Sequence, residues 1–247
     1  TALIRTPAQA LIYGFFFVSG AVCLAFQVVW VRSLSLFFGS DAYSAAITLA
    51  VFMAGLAFGS WLVSRVIDRV ERPLLLYGLC ETLTALSAFL VPSVLDALHD
   101  SYRAVYLASF ADGADTYYLF KIGAAIAVLL VPTTLMGMTL PALVAAFVRD
   151  QSELGRQAGG LYAINISGAL FGTLATGFFM LPRFGVTATA ATAAVAAAVI
   201  GLASMMMGLR ADMRRRPAAR QPSGLAQNAN TAPSIILLVV ALSGAGA

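Results

Sequence analysis

Long apolar runs recur along this chain, and they constrain its fold more than any other feature. A helix rises about 1.5 Å per residue, so about 20 apolar residues are needed to cross about 30 Å of hydrocarbon. Six stretches have that length: 10–31, 43–63, 73–95, 119–147, 158–182 and 186–208. Of the 247 residues, 60% are hydrophobic and 11% are charged, which excludes an ordinary soluble enzyme and a nucleic-acid-binding module. The sequence therefore predicts an all-α, polytopic membrane bundle.

The composition changes after residue 208. Residues 209–233 are rich in Arg, Pro, Gln and Asn and lack apolar periodicity, which indicates a basic cytoplasmic linker. Residues 234–247 are apolar again and predict the start of a seventh span. We thus expect a six-helix bundle over 1–208, then the linker, then a span that is cut short. Because the sequence opens without a Met and stops inside that run, we expect a longer polypeptide.

Basic residues are unevenly divided between the two sets of loops. With the N-terminus inside, eleven Lys and Arg residues lie on the inner side and four on the outer side. The positive-inside rule therefore predicts a cytoplasmic N-terminus. The outer loop 96–118 carries aspartates and a run of aromatic residues, which predicts a short helix lying at the membrane interface.

The fourth span is unusually long and contains the run PTTLMGMTLP. Pro132 and Pro141 each remove a backbone donor and crowd the preceding turn, and Gly137 lies between them. We therefore expect a kink here, and a helix break that is tolerable at membrane depth because Thr133, Thr134 and Thr139 can bond the freed carbonyls. Broken helices mark substrate sites in transporters, but they also occur in membrane helices generally.

Glycines recur at helix-packing spacing in two spans, as Gly55 and Gly59 and as Gly168 and Gly172. Helices in lipid associate through close backbone approach, which small residues permit. These four glycines are therefore predicted to form helix-packing seams.

Glu81 is the only carboxylate inside a predicted span. A charge at mid-membrane costs about 2.5–3.5 kcal/mol on insertion scales, so the group is expected to be protonated, paired or exposed to a cavity. It is the candidate proton or cation site; the alternative is a neutral carboxyl bonded to a neighbouring helix. Gln27 and Asn165 are candidate polar lining of that site, or simple interhelical hydrogen-bonding residues.

Charged residues also cluster after the second span. Asp68, Arg69 and Arg72 are a candidate cytoplasmic latch between helix ends, or else a solvated turn. With one His and two Cys in the chain, a metal centre and a disulfide framework are not expected. Cys23 and Cys80 lie in apolar runs and are expected to be buried thiols, and we expect no cofactor.

Six spans followed by a basic linker and a new apolar segment resemble one half of a major facilitator protein. In that family two six-helix halves are related by an axis along the membrane normal. A short internal similarity favours the same arrangement: VSGA at 18–21 returns as LSGA at 242–245.

Three blocks of the sequence resemble a further family. They are SGAVCLAFQVVWVRSLSLFFGSDAYSAAITLAVFMAGLAFGSWL (Ser19–Leu62), PTTLMGMTLPALV (Pro132–Val144) and GGLYAINISGALFGTLATGFFMLPRFGV (Gly159–Val186). They are similar, in the same order, to the membrane region of fused bacterial spermidine-synthase-like proteins. That family couples a major-facilitator-like region to a cytosolic aminopropyltransferase domain. No such domain is recognised within these 247 residues, so the resemblance implies that it lies elsewhere in a longer polypeptide. The resemblance implies a location in the bacterial inner membrane and a connection to polyamines.

These observations leave three hypotheses for function. The first is a transporter-like bundle that handles a polyamine or related amine through Glu81, working with a missing second half. The second is a non-transporting membrane anchor for an aminopropyltransferase domain. The third is an accessory subunit of a larger membrane complex with a protein partner. In all three hypotheses the chain is surrounded by the lipid bilayer, and nucleic acid is not expected as a partner.

Overall fold

The computed structural model describes residues 7–112, 114–147 and 154–213, and every element within those ranges is helical. The six α-helices are α1 (Pro7–Phe38), α2 (Ala42–Val66), α3 (Pro73–Asp112), α4 (Ala114–Phe147), α5 (Leu154–Ala175) and α6 (Leu181–Met213). A 3-10 turn, Ile67–Arg69, follows α2, and a π-helical turn, Thr176–Met180, joins α5 to α6. The seventh span predicted over 234–247 lies outside the described residues, as does the linker beyond 213. Residues 209–213, predicted as linker, continue α6 instead.

Five helical stretches are long and apolar enough to cross a membrane. They are Ala10–Phe38, Ala42–Arg69, Pro73–Leu107, Thr116–Phe147 and Gly155–Arg210. Their outward faces carry large apolar side chains such as Leu36, Leu119 and Phe178, which are 62%, 69% and 72% exposed. Such faces are suited to lipid tails rather than to water. The predicted all-α, multi-pass membrane architecture is therefore confirmed.

The bundle has two ends, which we name after one residue at each. The Lys121 end holds the turn between α1 and α2 and the first turns of α4. The Arg72 end holds the turn between α2 and α3 and the last turn of α4.

Glycine seams join α2 to α4 and α1 to α5. A Cβ at Gly55 would overlap the Thr133 side chain, and one at Gly59 would overlap the Thr134 carbonyl. On the other seam, Gly168 and Gly172 lie against the backbone of Phe17 and Ala21 in the same way. In both pairs, a contact residue that comes later in one helix touches a residue that comes later in the other, so the two helices of each pair are parallel. Small residues at these positions allow the backbones to touch.

α3 and α6 run in opposite directions. Gly78 lies against the Gly201 carbonyl oxygen, and Gly208 lies about two turns further along α6 toward the Arg72 end, against Leu75. Both α1 and α3 start at the Arg72 end. Because α5 is parallel to α1 while the part of α6 after Gly185 is antiparallel to α3, the chain reverses direction between α5 and that part of α6. Gly185, with φ of 74° and ψ of −178°, interrupts the helical backbone in this stretch. Glycine adopts this left-handed conformation without steric cost.

The packing pattern repeats between the first and the last three helices. The α2–α4 seam corresponds to the α5–α1 seam, and the sequence GLAFG at 55–59 returns as GALFG at 168–172. α1 starts at the Arg72 end and α4 at the Lys121 end, so the two three-helix units are inverted relative to each other. The pattern of contacts is that of an inverted three-plus-three repeat.

Two apolar clusters fill the bundle. The larger cluster, toward the Lys121 end, is built around Phe26, Trp30 and Phe52. The smaller cluster, toward the Arg72 end, contains Phe16 and Tyr77 with residues of α4 and α5. The helices are therefore packed together at both ends of the membrane-spanning region.

The separate interfacial helix predicted in loop 96–118 is not present. α3 continues without interruption to Asp112, and its 40 residues measure about 60 Å, twice the hydrocarbon thickness. Leu95, Leu98 and Tyr102 recur at helical spacing and pack against the larger apolar cluster, which extends α3 along its neighbours.

The break predicted over Pro132–Pro141 is also not present, since α4 is helical from Ala114 to Phe147. Pro141 has no N–H to donate to the Gly137 carbonyl, four residues earlier. The Ser60 hydroxyl of α2 donates to that carbonyl instead, at 2.8 Å. Gly137 itself lies against the Leu56 backbone, so it belongs to the α2–α4 seam. A neighbouring helix thus replaces the missing donor and the helix continues.

Candidate functional site

Glu81 lies on α3 and is only 4% exposed within the bundle. The Ser19 hydroxyl of α1 donates a hydrogen bond to its carboxyl oxygen Oε1. The site forms because Ser19 and Glu81 both face the space between α1 and α3, two helices that meet through side chains rather than backbone. Phe16 and Tyr77, one turn nearer the Arg72 end, meet ring edge to ring face with centroids 6.3 Å apart.

Groups that can exchange or share a proton surround this carboxyl. The Tyr77 hydroxyl lies beside Glu81 in a fully buried position, outside hydrogen-bonding geometry. Cys80 is buried next to it on α3, and Cys23 approaches from α1. Both cysteines are free thiols.

The carboxyl is closed off at both ends. Phe16, Tyr77 and the rest of the smaller cluster lie between Glu81 and the Arg72 end. Phe26, Trp30 and the rest of the larger cluster lie between it and the Lys121 end. In this conformation Glu81 is therefore occluded from both ends of the bundle.

The buried ammonium group of the described bundle does not neutralise Glu81. Lys121, which has 0% side-chain exposure, pairs with Asp41 at the Lys121 end, with Nζ 2.9 Å from Oδ2. Its Nζ also donates to the Ser44 hydroxyl at 3.1 Å and lies 4.5 Å from the centre of the Tyr117 ring. A carboxylate, a hydroxyl and an aromatic face together satisfy this cation.

Asp41 has a second function as the N-cap of α2, where its side chain accepts from the Ser44 N–H at 2.6 Å. The hydrogen bond from Lys121, followed by those from Ser44, lowers the pKa of this carboxyl from 3.8 to about 2. The Asp41 carboxyl is thus ionised throughout the physiological pH range.

Tyrosine hydroxyls hold the end of α1 to this cluster. Tyr117 donates to the Phe38 carbonyl at 3.0 Å, and Tyr102 lies 2.9 Å from the Tyr117 hydroxyl. The Phe38 carbonyl belongs to the last turn of α1, where carbonyls have no partner inside the helix. The sequence analysis noted the aromatic residues here but did not predict that they cluster around Lys121. The sequence feature that could have indicated this cluster is the only lysine of the chain, which follows two tyrosines closely.

Gln27 lies on α1, two turns from Ser19 toward the Lys121 end. Its side-chain oxygen is buried and makes no hydrogen bond to any residue that the structure describes. Asn165 is placed differently, on the α1–α5 seam, where its amide donates to the Phe16 carbonyl at 3.2 Å. That bond joins α5 to α1, so Asn165 is an interhelical contact.

Asp68, Arg69 and Arg72 all lie exposed at the Arg72 end. Asp68 and Arg69 form part of the 3-10 turn, and the Arg72 carbonyl accepts from the amides of Leu75 and Leu76 at 3.1 Å. The turn thus caps the start of α3. The structure brings these charges together at one end of the bundle, away from Glu81.

Within the described ranges, no three or more His, Cys, Asp or Glu side chains lie close enough together to hold a metal ion. Comparisons with protein-family models, curated proteins and solved structures find no match to this chain.

Proposed function

We propose that this chain is one half of a transporter-like membrane protein in which Glu81 binds and releases a proton as the bundle changes conformation. The observation that carries the proposal is an occluded carboxyl, bonded to a serine hydroxyl and separated from both ends by apolar clusters. The cargo that we propose, a polyamine or related amine, rests on the resemblance to the spermidine-synthase-like membrane region.

The proposed half has six spans. The stretch Gly155–Arg210 has 56 residues, about 84 Å of helix, which is far more than one crossing needs. The reversal of direction between α5 and α6, with Gly185 in that stretch, supports two crossings. The inverted repeat supports a major-facilitator-like half, and the distribution of arginines supports a cytoplasmic N-terminus in a bacterial inner membrane.

The proton has a physical role at this position. An ionised carboxylate at this depth costs about 2.5–3.5 kcal/mol on insertion scales, whereas a protonated carboxyl is neutral. The charged form therefore favours a conformation that admits water or a cation, and the neutral form favours the closed packing. An amine entering the open conformation would supply the positive charge that Glu81 otherwise obtains from a proton.

Proteoliposomes test this proposal. We expect labelled spermidine to enter in response to a pH gradient, and Glu81→Gln to abolish uptake without loss of helical content. Glu71→Gln is the matched control, since Glu71 is exposed in the turn before α3. Uptake by the Glu81→Gln protein at the rate of the unaltered chain would contradict the proposal.

A non-transporting anchor is the second candidate function. The observation that favours it is the direct backbone contact along the α1–α5, α2–α4 and α3–α6 seams, which is suited to a rigid support. In that case spermidine neither binds nor crosses, and Glu81→Gln leaves the attachment of an aminopropyltransferase domain unchanged. Co-purification of a stable protein partner would favour an accessory subunit instead.

A further inference from the structure

An open cleft lies at the Lys121 end, between the last part of α1, the α1–α2 turn and the start of α6. Its volume is about 490 Å³. The lining includes Val28, Val31, Arg32 and Ser35 from α1, Ser40 and Asp41 from the turn, and Leu181 from α6. Glu81 is not among the lining residues, so the cleft is separate from the occluded carboxyl.

The face of α1 that lines the cleft changes from apolar to polar along its length. Val28, Val31, Arg32 and Ser35 recur at spacings of three and four residues, which places them on one side of the helix. The distance along α1 from Ala10, where its membrane-spanning stretch begins, to Arg32 is about 33 Å. Because the hydrocarbon core measures about 30 Å, the cleft lies at the boundary between acyl chains and headgroups.

The cleft contains hydrogen-bond donors without a protein partner. The Arg32 guanidinium and the Ser35 and Ser40 hydroxyls make no hydrogen bond or ion pair within the part of the chain that the structure describes. By contrast Ser33, outside the cleft, donates to the Val29 carbonyl of its own helix at 2.9 Å. A guanidinium binds phosphate oxygens through two parallel hydrogen bonds, and hydroxyls add further donors. These three side chains are therefore suited to a phosphate group.

Asp41 supplies a negative charge to the same cleft. One of its carboxyl oxygens accepts from Lys121 and the other from the Ser44 N–H, yet the side chain is 45% exposed. A carboxylate has about four acceptor sites, so the exposed edge can accept a further donor. Lys121 is fully buried and does not line the cleft. The charges that a ligand meets here are thus one cation and one anion, which complement a zwitterion.

We propose that this cleft binds a zwitterionic phospholipid whose headgroup carries a primary amine. Arg32 and the two serine hydroxyls hold the phosphate, and the exposed edge of Asp41 accepts a hydrogen bond from the ammonium group. An acyl chain lies along the apolar lining. A lipid bound in this way contacts α1, α2 and α6 at once and so stabilises their packing at the Lys121 end. The proposal does not depend on transport through Glu81.

Native mass spectrometry of the full chain, released from detergent micelles, tests the proposal by counting bound lipids during titration. We expect one phosphatidylethanolamine to bind about tenfold more tightly than phosphatidylcholine, whose trimethylammonium group has no N–H to donate to Asp41. The same margin is expected over phosphatidylglycerol, which carries no cation.

Arg32→Gln should weaken the binding of phosphatidylethanolamine about tenfold, the factor for the loss of a charged hydrogen bond. Arg103→Gln is the matched control, because Arg103 is exposed on α3 and does not line the cleft. Ser33→Ala is the corresponding control for Ser35→Ala, since the Ser33 hydroxyl is already bonded within α1.

Equal affinity for the three lipids overturns the proposal, as does an unchanged affinity in Arg32→Gln. Dissolved phosphoethanolamine that binds as tightly as the lipid also overturns it, because the ligand would then be a free phosphomonoester. If Arg32→Gln loses helical content by circular dichroism, the comparison of the three lipids on the unaltered chain decides the question.

Discussion

Replacing Gly59 with alanine adds a methyl group where α2 lies against the backbone of α4. The new Cβ would overlap the Thr134 carbonyl oxygen and would lie 2.8 Å from the carbonyl carbon and 3.1 Å from Cα of Gly137. Ordinary contacts of this kind begin at 3.4 Å, so the helices must part by more than about half an ångström. The overlapped atoms of Thr134 and Gly137 belong to the backbone, so they cannot make room for the methyl group by changing rotamer.

We expect Gly59→Ala to lower the free energy of unfolding by about 1–3 kcal/mol, the usual cost of overpacking. Separating the helices also lengthens the Ser60–Gly137 hydrogen bond, which is one residue away on the same face of contact. Gly123→Ala is the matched control, because Gly123 is on α4 and has nothing within 4 Å of its added Cβ. There the higher helix propensity of alanine leaves stability unchanged or slightly raised.

Reversible unfolding in mixed detergent micelles, followed by circular dichroism, measures both variants. We expect a clear loss of stability in Gly59→Ala and little change in Gly123→Ala. Equal stability of the two proteins would refute the direct backbone contact between α2 and α4.

Three further predictions concern the residues that join helices at the Lys121 end and along the α2–α4 seam. Asp41→Asn leaves the buried Lys121 ammonium without a counter-charge and should lower the free energy of unfolding by about 3 kcal/mol. Lys121→Met leaves only a half-exposed carboxylate and should lower it by about 1 kcal/mol. Denaturation of both variants measures the difference, and the reverse order would contradict the described pair. Because the pKa of Asp41 is lowered from 3.8 to about 2, its contribution is complete above pH 3.8 and is lost as the pH falls toward 2, so the gap between Lys121→Met and the unaltered chain should close over that range. Ser60→Ala removes the donor to the Gly137 carbonyl and should lower the free energy of unfolding by about 1–3 kcal/mol. The Ser64 hydroxyl bonds only to the Trp61 carbonyl of its own helix, so Ser64→Ala should lower it less. Equal losses would count against Ser60 as the replacement for the Pro141 amide.

The apolar runs were sufficient to predict the fold class, because length and hydropathy alone decide whether a helix can cross a membrane. They could not predict how far α3 extends. Leu98 and Tyr102 continue its buried face beyond the membrane-length segment, and their packing partners come from other helices.

α4 remains helical through Pro132 and Pro141, and the residue that allows this is remote in sequence. Pro141 removes a donor, and local reasoning then predicts an interruption. Ser60, on α2, supplies the replacement hydrogen bond only after the α2–α4 seam has formed. A single sequence shows the loss of a donor but not the residue that compensates for it.

The sequence was sufficient to identify one residue of the candidate site but not the residues that surround it. Glu81 was identified because a carboxylate inside an apolar run is costly. Its bond to Ser19 depends on the register of α1 against α3, which the sequence pattern does not define. Asn165 was grouped with Glu81 on polarity alone, yet its described bond is to the backbone of α1. The role of Glu81 as a proton site stays a prediction.

The most direct test of transport through this bundle is the accessibility of Cys80, which is buried beside Glu81. Cys23→Ala leaves Cys80 as the only thiol of the chain. A membrane-impermeant maleimide is then applied to either face of proteoliposomes with and without spermidine. Alternating access predicts that Cys80 is labelled from both faces, at relative rates that change with spermidine and pH. Labelling from neither face, or from one face at a rate that ignores both, would contradict transport and favour the anchor.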